Sequence, residues 1–163
     1  MNFELIFNIN NLDEAKVLAQ AIAKSLYSGL KLSFDGQLGA GKTTLIKLIL
    51  SEMGIRSEAV TSPTFTLVNE FPLKNYAKIF HLDLYRLNDV SQLLDTGIKD
   101  ELDNPNNIFF IEWAYKIKSY ELFKPFVGFF IKVIEDDIRI VHIFSDDNET
   151  KKFFDNIKEN LIL

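Results

Sequence analysis

The chain has 163 residues and a formal net charge of −5, with 18 Lys and Arg against 23 Asp and Glu. Apolar residues make up 47% and aromatics 13%, including 15 Phe, which excludes a disordered chain and fits one globular domain over residues 1–163. The basic residues are scattered and outnumbered, which disfavours a protein that grips RNA by itself.

No cysteine is present. That rules out disulfides and thiolate-bound metal, and it fits a reducing cytoplasm. No apolar run reaches about 18 residues, so no membrane span is expected. Residues 1–10 lack the pattern of a signal peptide.

In chain order, Phe3, Leu5, Phe7 and Ile9 alternate as in a short strand. Asn10 or Asn11 then caps a helix, with Asp13 and Glu14 in its first turn and an apolar stripe from Leu12 to Leu26. Residues 30–35 alternate as a second strand, and 44–53 read as a helix ending at Gly54.

Between that strand and helix lies Gly36-Gln37-Leu38-Gly39-Ala40-Gly41-Lys42-Thr43, a full match to G-x-x-x-x-G-K-[ST]. Small residues let backbone N–H groups turn inward around phosphate oxygens. Lys42 would face the outer phosphates, and the Thr43 hydroxyl would bind Mg²⁺. The helix beginning at Gly41-Lys42 adds its positive end. The alternative, an ordinary glycine turn, is disfavoured because strand and helix flank the motif as it requires.

Residues 55–64 are turn-like and end in Thr61-Ser62-Pro63-Thr64. These hydroxyls fit a switch loop that senses a γ-phosphate, or a simple turn leading into a strand. Residues 65–71 and 76–85 read as two strands, and the short link between them favours an antiparallel hairpin. Residues 86–102 suggest one or two short helices broken at Gly97. Residues 103–107 form a loop, and Ile108-Phe109-Phe110-Ile111 is an apolar run expected to be buried on both faces. A helix over 114–123, a hairpin of strands 126–134 and 138–144, and a charged helix over 148–160 complete the chain. The pattern predicts a three-layer α/β P-loop NTPase fold whose central sheet is mixed and contains antiparallel hairpins.

A phosphate loop needs an acid at the end of another strand, to hold Mg²⁺ directly or through water. Asp83 and Glu112 are the candidates, since open α/β sheets bind ligands at strand ends. Trp113, beside Glu112, is a plausible part of the site. His81 and His142 have no second His at ligand spacing, so packing is their expected role. Arg139 has no assigned role, and its replacement by Ala is expected to be near neutral.

Four linked blocks together resemble the TsaE (formerly YjeE) family. They are Gly36 to Thr44, Ser62 to Glu70, His81-Leu82-Asp83-Leu84-Tyr85-Arg86-Leu87, and Ile111-Glu112-Trp113. They follow the family's order, and the likeness spans about residues 9–134. The resemblance implies a bacterial P-loop ATPase using ATP and Mg²⁺. It would support a TsaD–TsaB pair that forms threonylcarbamoyladenosine at position 37 of tRNAs reading codons that begin with A. It further implies Lys42, Asp83 and Glu112 as catalytic residues and Thr43, Glu112 and Asp83 as metal ligands. The nucleotide contacts it implies are Asn11, Leu38, Gly39, Ala40, Gly41, Lys42, Thr43, Thr44, Thr64 and Trp113. Three positions depart from the pattern. Gln37 replaces a usual acid, Tyr115 stands where an acid is common, and the later Leu-Pro is absent.

Two other classes compete. A small-metabolite kinase also opens with this loop but normally carries an Arg-rich lid, whereas the arginines here are Arg56, Arg86 and Arg139. A non-enzymatic assembly factor would not need Lys42, Thr43, Asp83 and Glu112 intact. A GTPase would show an Asn-Lys-x-Asp segment, which is missing.

Overall fold

The computed structural model describes residues 3–56, 60, 63, 66–74, 77–117 and 120–162. Alternation along β1 (Phe3–Ile9) sends Phe3, Leu5, Phe7 and Ile9 to one face of a sheet, where they pack on the core. Ile6, on the opposite face, stays 62% exposed.

Helix α1 (Leu12–Ser25) starts at Asn11, whose Oδ1 accepts the Glu14 amide at 2.9 Å. The Glu14 carboxylate reaches back to the Asn10 amide, also at 2.9 Å. Reciprocal bonding of this kind satisfies donors that a helix start leaves without partners. Leu18, Ala19 and Ile22 form the buried stripe.

Strand β2 (Lys31–Gly36) is buried along its whole length. Its alternating pattern would suit a half-exposed strand, but both faces are covered. The polar members are accommodated in part by each other: the Ser33 hydroxyl donates to Asp35 Oδ2 at 2.7 Å. Helix α2 (Lys42–Glu52) follows the glycine loop.

Strands β3 (Val68–Pro72) and β4 (Lys78–Asp83) pair antiparallel, as the short link predicts. Both are shorter than the sequence pattern suggests. Leu67, at φ +68°, turns the chain before β3. Beyond β4, the Tyr85 amide folds back onto Asp83 Oδ1 at 2.9 Å. Short helices α3 (Val90–Leu94) and α4 (Lys99–Asp103) flank Gly97, whose φ of +77° suits glycine.

Strand β5 (Ile108–Glu112) is fully buried. The helix expected over 114–123 is instead two 3-10 turns, Ala114–Ile117 and Tyr120–Phe123. Strands β6 (Phe126–Val133) and β7 (Arg139–Ser145) form the second hairpin, and α5 (Lys151–Ile162) follows.

The sheet order is β1-β7-β6-β2-β5-β4-β3. The inner strands β6, β2, β5 and β4 are parallel, while β7 and β3 run against their neighbours. One core cluster joins α1, α2 and α5 to a sheet face, and a second joins the other face to α3, α4 and the 3-10 turns. This is the mixed three-layer architecture expected from the sequence. The many phenylalanines fill both layers. Phe34 stacks on Phe129 at 4.6 Å in one, and Phe80 on Phe109 at 4.9 Å in the other. No helix among the described residues is long and apolar enough to cross a membrane.

This topology positions the site. Parallel register sets Asp83 beside Glu112 and Phe34 beside Glu112. The carboxyl ends of β2, β4 and β5 therefore share one edge, where α2 begins.

Candidate active site

The glycine loop leaves β2 at Gly36, which has φ +143°. A Cβ there would lie 2.3 Å from the Ile131 carbonyl oxygen, so glycine is obligatory. The Ala40 amide closes a turn onto the Gln37 carbonyl at 3.1 Å. Gly41, at φ +103°, then serves as the N-cap of α2, and no side chain caps that end. The first turn of α2 also holds no acid, so its positive end is not offset locally.

Lys42 is buried at the throat of the loop, with Nζ donating to the Gly36 and Gln37 carbonyls at 2.9 Å each. Its ammonium lies 3.6 Å from the centre of the Trp113 ring. Burial pushes the Lys42 pKa below the ordinary lysine value, while the carboxylates of Glu112, Asp35 and Asp83 oppose that shift. At Gln37 the loop meets Lys42 through the backbone carbonyl and not through the side chain.

The Thr43 hydroxyl donates to Glu112 Oε1 at 2.8 Å and Oε2 at 2.9 Å. Glu112 is only 2% exposed and Asp83 only 5%. Asp83 is tied to its surroundings through the Tyr85 amide and through its own amide, which donates to the Leu67 carbonyl at 3.1 Å. Trp113 has φ +64°, a costly conformation for a bulky residue, and is held by its amide on the Phe34 carbonyl at 3.0 Å. The rings of Tyr85 and Tyr115 flank it at 5.0 and 6.0 Å.

Two cavities meet at the loop. The first is walled by Leu38, Lys42, Thr43, Asp83, Glu112 and Trp113, with Gly39, Gly41 and Thr44 at its rim. The second shares Gly39, Gly41 and Thr44 and opens on the other side, against Asn11, Leu12, Ala15, Asp137, Arg139 and Val141. Ala40 lies buried beneath this second cavity. Of the sequence-predicted residues, Thr61, Ser62 and Thr64 of the proposed switch loop lie outside the described residues.

Three residues gain a place that sequence reasoning did not give them. His81 is fully buried, and its Nε2 lies 2.8 Å from Glu112 Oε1. The signal was its spacing, since a residue two before Asp83 shares its face of the strand. Arg139 and Asp137 wall the second cavity, a placement that the sequence pattern did not suggest. No local pattern marks them, because β1–β7 pairing brings them to Ile9 and Asn11 from far along the chain.

The donor set suits a small hard cation. A hydroxyl and two carboxylates converge in the first cavity, and oxygen ligands of this kind bind Mg²⁺ together with phosphate oxygens and water. Among the described residues, no group of three or more His, Cys, Asp and Glu is placed to hold a metal ion.

A parallel-strand, glycine-loop, helix unit facing strand-end carboxylates defines a P-loop α/β domain. The crystal structure of Bacillus subtilis YdiB has the same fold, with a TM-score of 0.75 at 25% identity over 98% of this chain and 97% of that one. The family model described as threonylcarbamoyl adenosine biosynthesis protein TsaE matches residues 9–142, and the chain belongs to the TsaE family. Among relatives named tRNA threonylcarbamoyladenosine biosynthesis protein TsaE, that of Rickettsia felis is 31% identical over 142 residues, 87% of this chain and 81% of its own. That of Bacillus subtilis is 36% identical over 109 residues, 67% of this chain and 66% of its own. That of Haemophilus influenzae is 45% identical over 82 residues, half of each chain.

Proposed function

We propose that this protein is a Mg²⁺-dependent ATPase that serves threonylcarbamoyladenosine formation at position 37 of tRNAs reading codons that begin with A. It would act with the TsaD–TsaB pair and reach tRNA through that complex. A protein with this task works in the cytoplasm. The observation that carries the reading is the contact of Thr43 with Glu112 beside the buried Lys42. A purely structural glycine turn has no need of a buried ammonium and carboxylate at its throat.

In this reading, the loop amides and the start of α2 hold the phosphates, and Lys42 exchanges its loop carbonyls for phosphate oxygens. Thr43 and Glu112, with Asp83 beside them, would hold Mg²⁺, which supplies charge neutralisation at the phosphates. Asp83, anchored through the Tyr85 amide, would orient the attacking water. The base would lie in the second cavity, between the apolar floor and Arg139. There Asn11 lines the wall, with its carbonyl oxygen capping α1 and its side-chain nitrogen donating to Glu14 Oε1 at 3.1 Å.

Among the described residues, no arginine walls the first cavity. A P-loop site lacking such a cation is slow, and one supplied in trans is worth about 10³–10⁵ in rate. We therefore assign slow turnover to the isolated protein and acceleration to its docking on TsaD–TsaB. The test is phosphate release from ATP and from GTP by purified protein, alone and with both partners in excess. Slow ATP turnover that rises with partners is the expected result. Fast turnover alone, unchanged by partners that demonstrably bind, would overturn it.

A further inference from the structure

His81 lies in the middle of β4, opposite Asn69 of β3 and Phe110 of β5. It is fully buried. Its one side-chain hydrogen bond within the described residues is to Glu112 Oε1 at 2.8 Å, and Nδ1 has no partner there. An ionised carboxylate only accepts, so the imidazole proton belongs on Nε2. For packing alone, an aliphatic side chain would fill this position without burying an unpartnered nitrogen.

Glu112 explains the choice. The Thr43 hydroxyl has a single proton and stands almost equally far from both carboxylate oxygens, at 2.8 and 2.9 Å. Thr43 therefore does not distinguish one oxygen from the other. His81 touches Oε1 alone and breaks that symmetry. It holds the carboxylate from the buried side, and among the described residues it leaves Oε2 with Thr43 as its hydrogen-bond partner.

We propose that His81 is a positioning residue that fixes the Glu112 carboxylate for cation binding at the phosphate loop. The inference rests on the nucleotide reading above. Ligand-orienting hydrogen bonds from a buried neighbour of this kind typically change metal affinity about 10–100-fold.

The test uses the full chain and N-methylanthraniloyl-ADP fluorescence, titrated with Mg²⁺ from a metal-free start, with Mn²⁺ bound-fraction measurements by EPR alongside. His81→Leu should leave metal-free nucleotide affinity within about twofold and raise the half-saturating Mg²⁺ and Mn²⁺ concentrations about tenfold or more. His81→Gln, whose amide nitrogen reaches the Nε2 position, should recover most of the loss. His81→Asn, whose nitrogen stops at the Nδ1 position, should not. If the Leu variant fails to fold, the Gln and Asn pair decides the matter alone.

Equal cation affinities in the Gln and Asn variants would overturn the proposal, as would an equal loss with and without metal. A wild-type protein that binds nucleotide with no cation dependence would remove the nucleotide-and-metal reading and this inference together. A cation-dependent wild type that loses nucleotide on Lys42→Ala but is matched by His81→Leu would remove the His81 inference alone.

Discussion

The two cavities that meet at the phosphate loop are built on different physics. On the side of Lys42, Thr43, Asp83 and Glu112, the charged groups are buried and bonded to one another or to backbone. Their geometry is set by three parallel strand ends in register. On the side of Asn11 and Arg139, the floor is aliphatic and the polar groups are more exposed, on a helix cap and a hairpin. The first arrangement suits charge development in a reaction, where preorganised dipoles and ions matter most. The second suits holding a flat, weakly polar group without acting on it. Substitutions should therefore separate turnover from affinity according to the cavity they touch.

The largest expected effect is at Lys42. Lys42→Ala removes the cation at the loop throat and should lower ATP turnover about 10²-fold or more, with weakened nucleotide affinity. Steady-state phosphate release and equilibrium binding measure the two losses. Turnover within about threefold of wild type would mean that the first cavity is not the reaction site. Next comes Asp83→Asn, which keeps size and the acceptor for the Tyr85 amide but removes charge. Turnover should fall about 10²-fold, the low end of proton-transfer or water-orienting contributions, while nucleotide affinity stays within about twofold. Equal losses in both quantities would place Asp83 in binding only.

On the other side, Arg139→Ala should raise KM for ATP about threefold to tenfold and leave kcat nearly unchanged, the scale of a guanidinium lost from a base face. A fall in kcat with unchanged KM would erase the distinction between the cavities.

The same division explains what could be read from the chain alone. Gly36 to Thr43 is a contiguous motif, and Asp83 and Glu112 each end an apolar strand, so local pattern reveals them. Elements with a strong period appear where expected, β1 and α1 with its Asn11 cap among them. His81 was legible in position but not in role, because its partner lies on another strand. Arg139 and Asp137 belong to a cavity made by the β1–β7 pairing, a contact between the ends of the chain that no local pattern carries. The helix expected over 114–123 fails for a different reason. Trp113 adopts a left-handed backbone to reach the Lys42 ammonium, and short 3-10 turns follow.

The smallest expected effect is spectroscopic, and it probes the join between the two halves of the first cavity. Trp113 is the only tryptophan of the chain, and the Lys42 ammonium sits 3.6 Å over its ring. A cation at that distance perturbs indole emission through the ring's quadrupole. Nucleotide binding draws the ammonium onto phosphate, so emission should change on adding ATP and stay unchanged in Lys42→Met. Raising the pH of the nucleotide-free protein should produce the same change by removing the proton. Because burial is the leading cause of the shift and lowers the Lys42 pKa, the midpoint should fall below the ordinary lysine value of 10.5. The sign for stability follows. A lysine whose folded pKa is depressed disfavours the folded state at low pH, and that penalty disappears as pH rises from the folded pKa to 10.5. Tyr85 and Tyr115 also flank the indole, so the Lys42→Met titration supplies the baseline to subtract. A residual midpoint at or above 10.5, or a nucleotide response that survives in Lys42→Met, would mean that the ammonium and the indole do not report on one another.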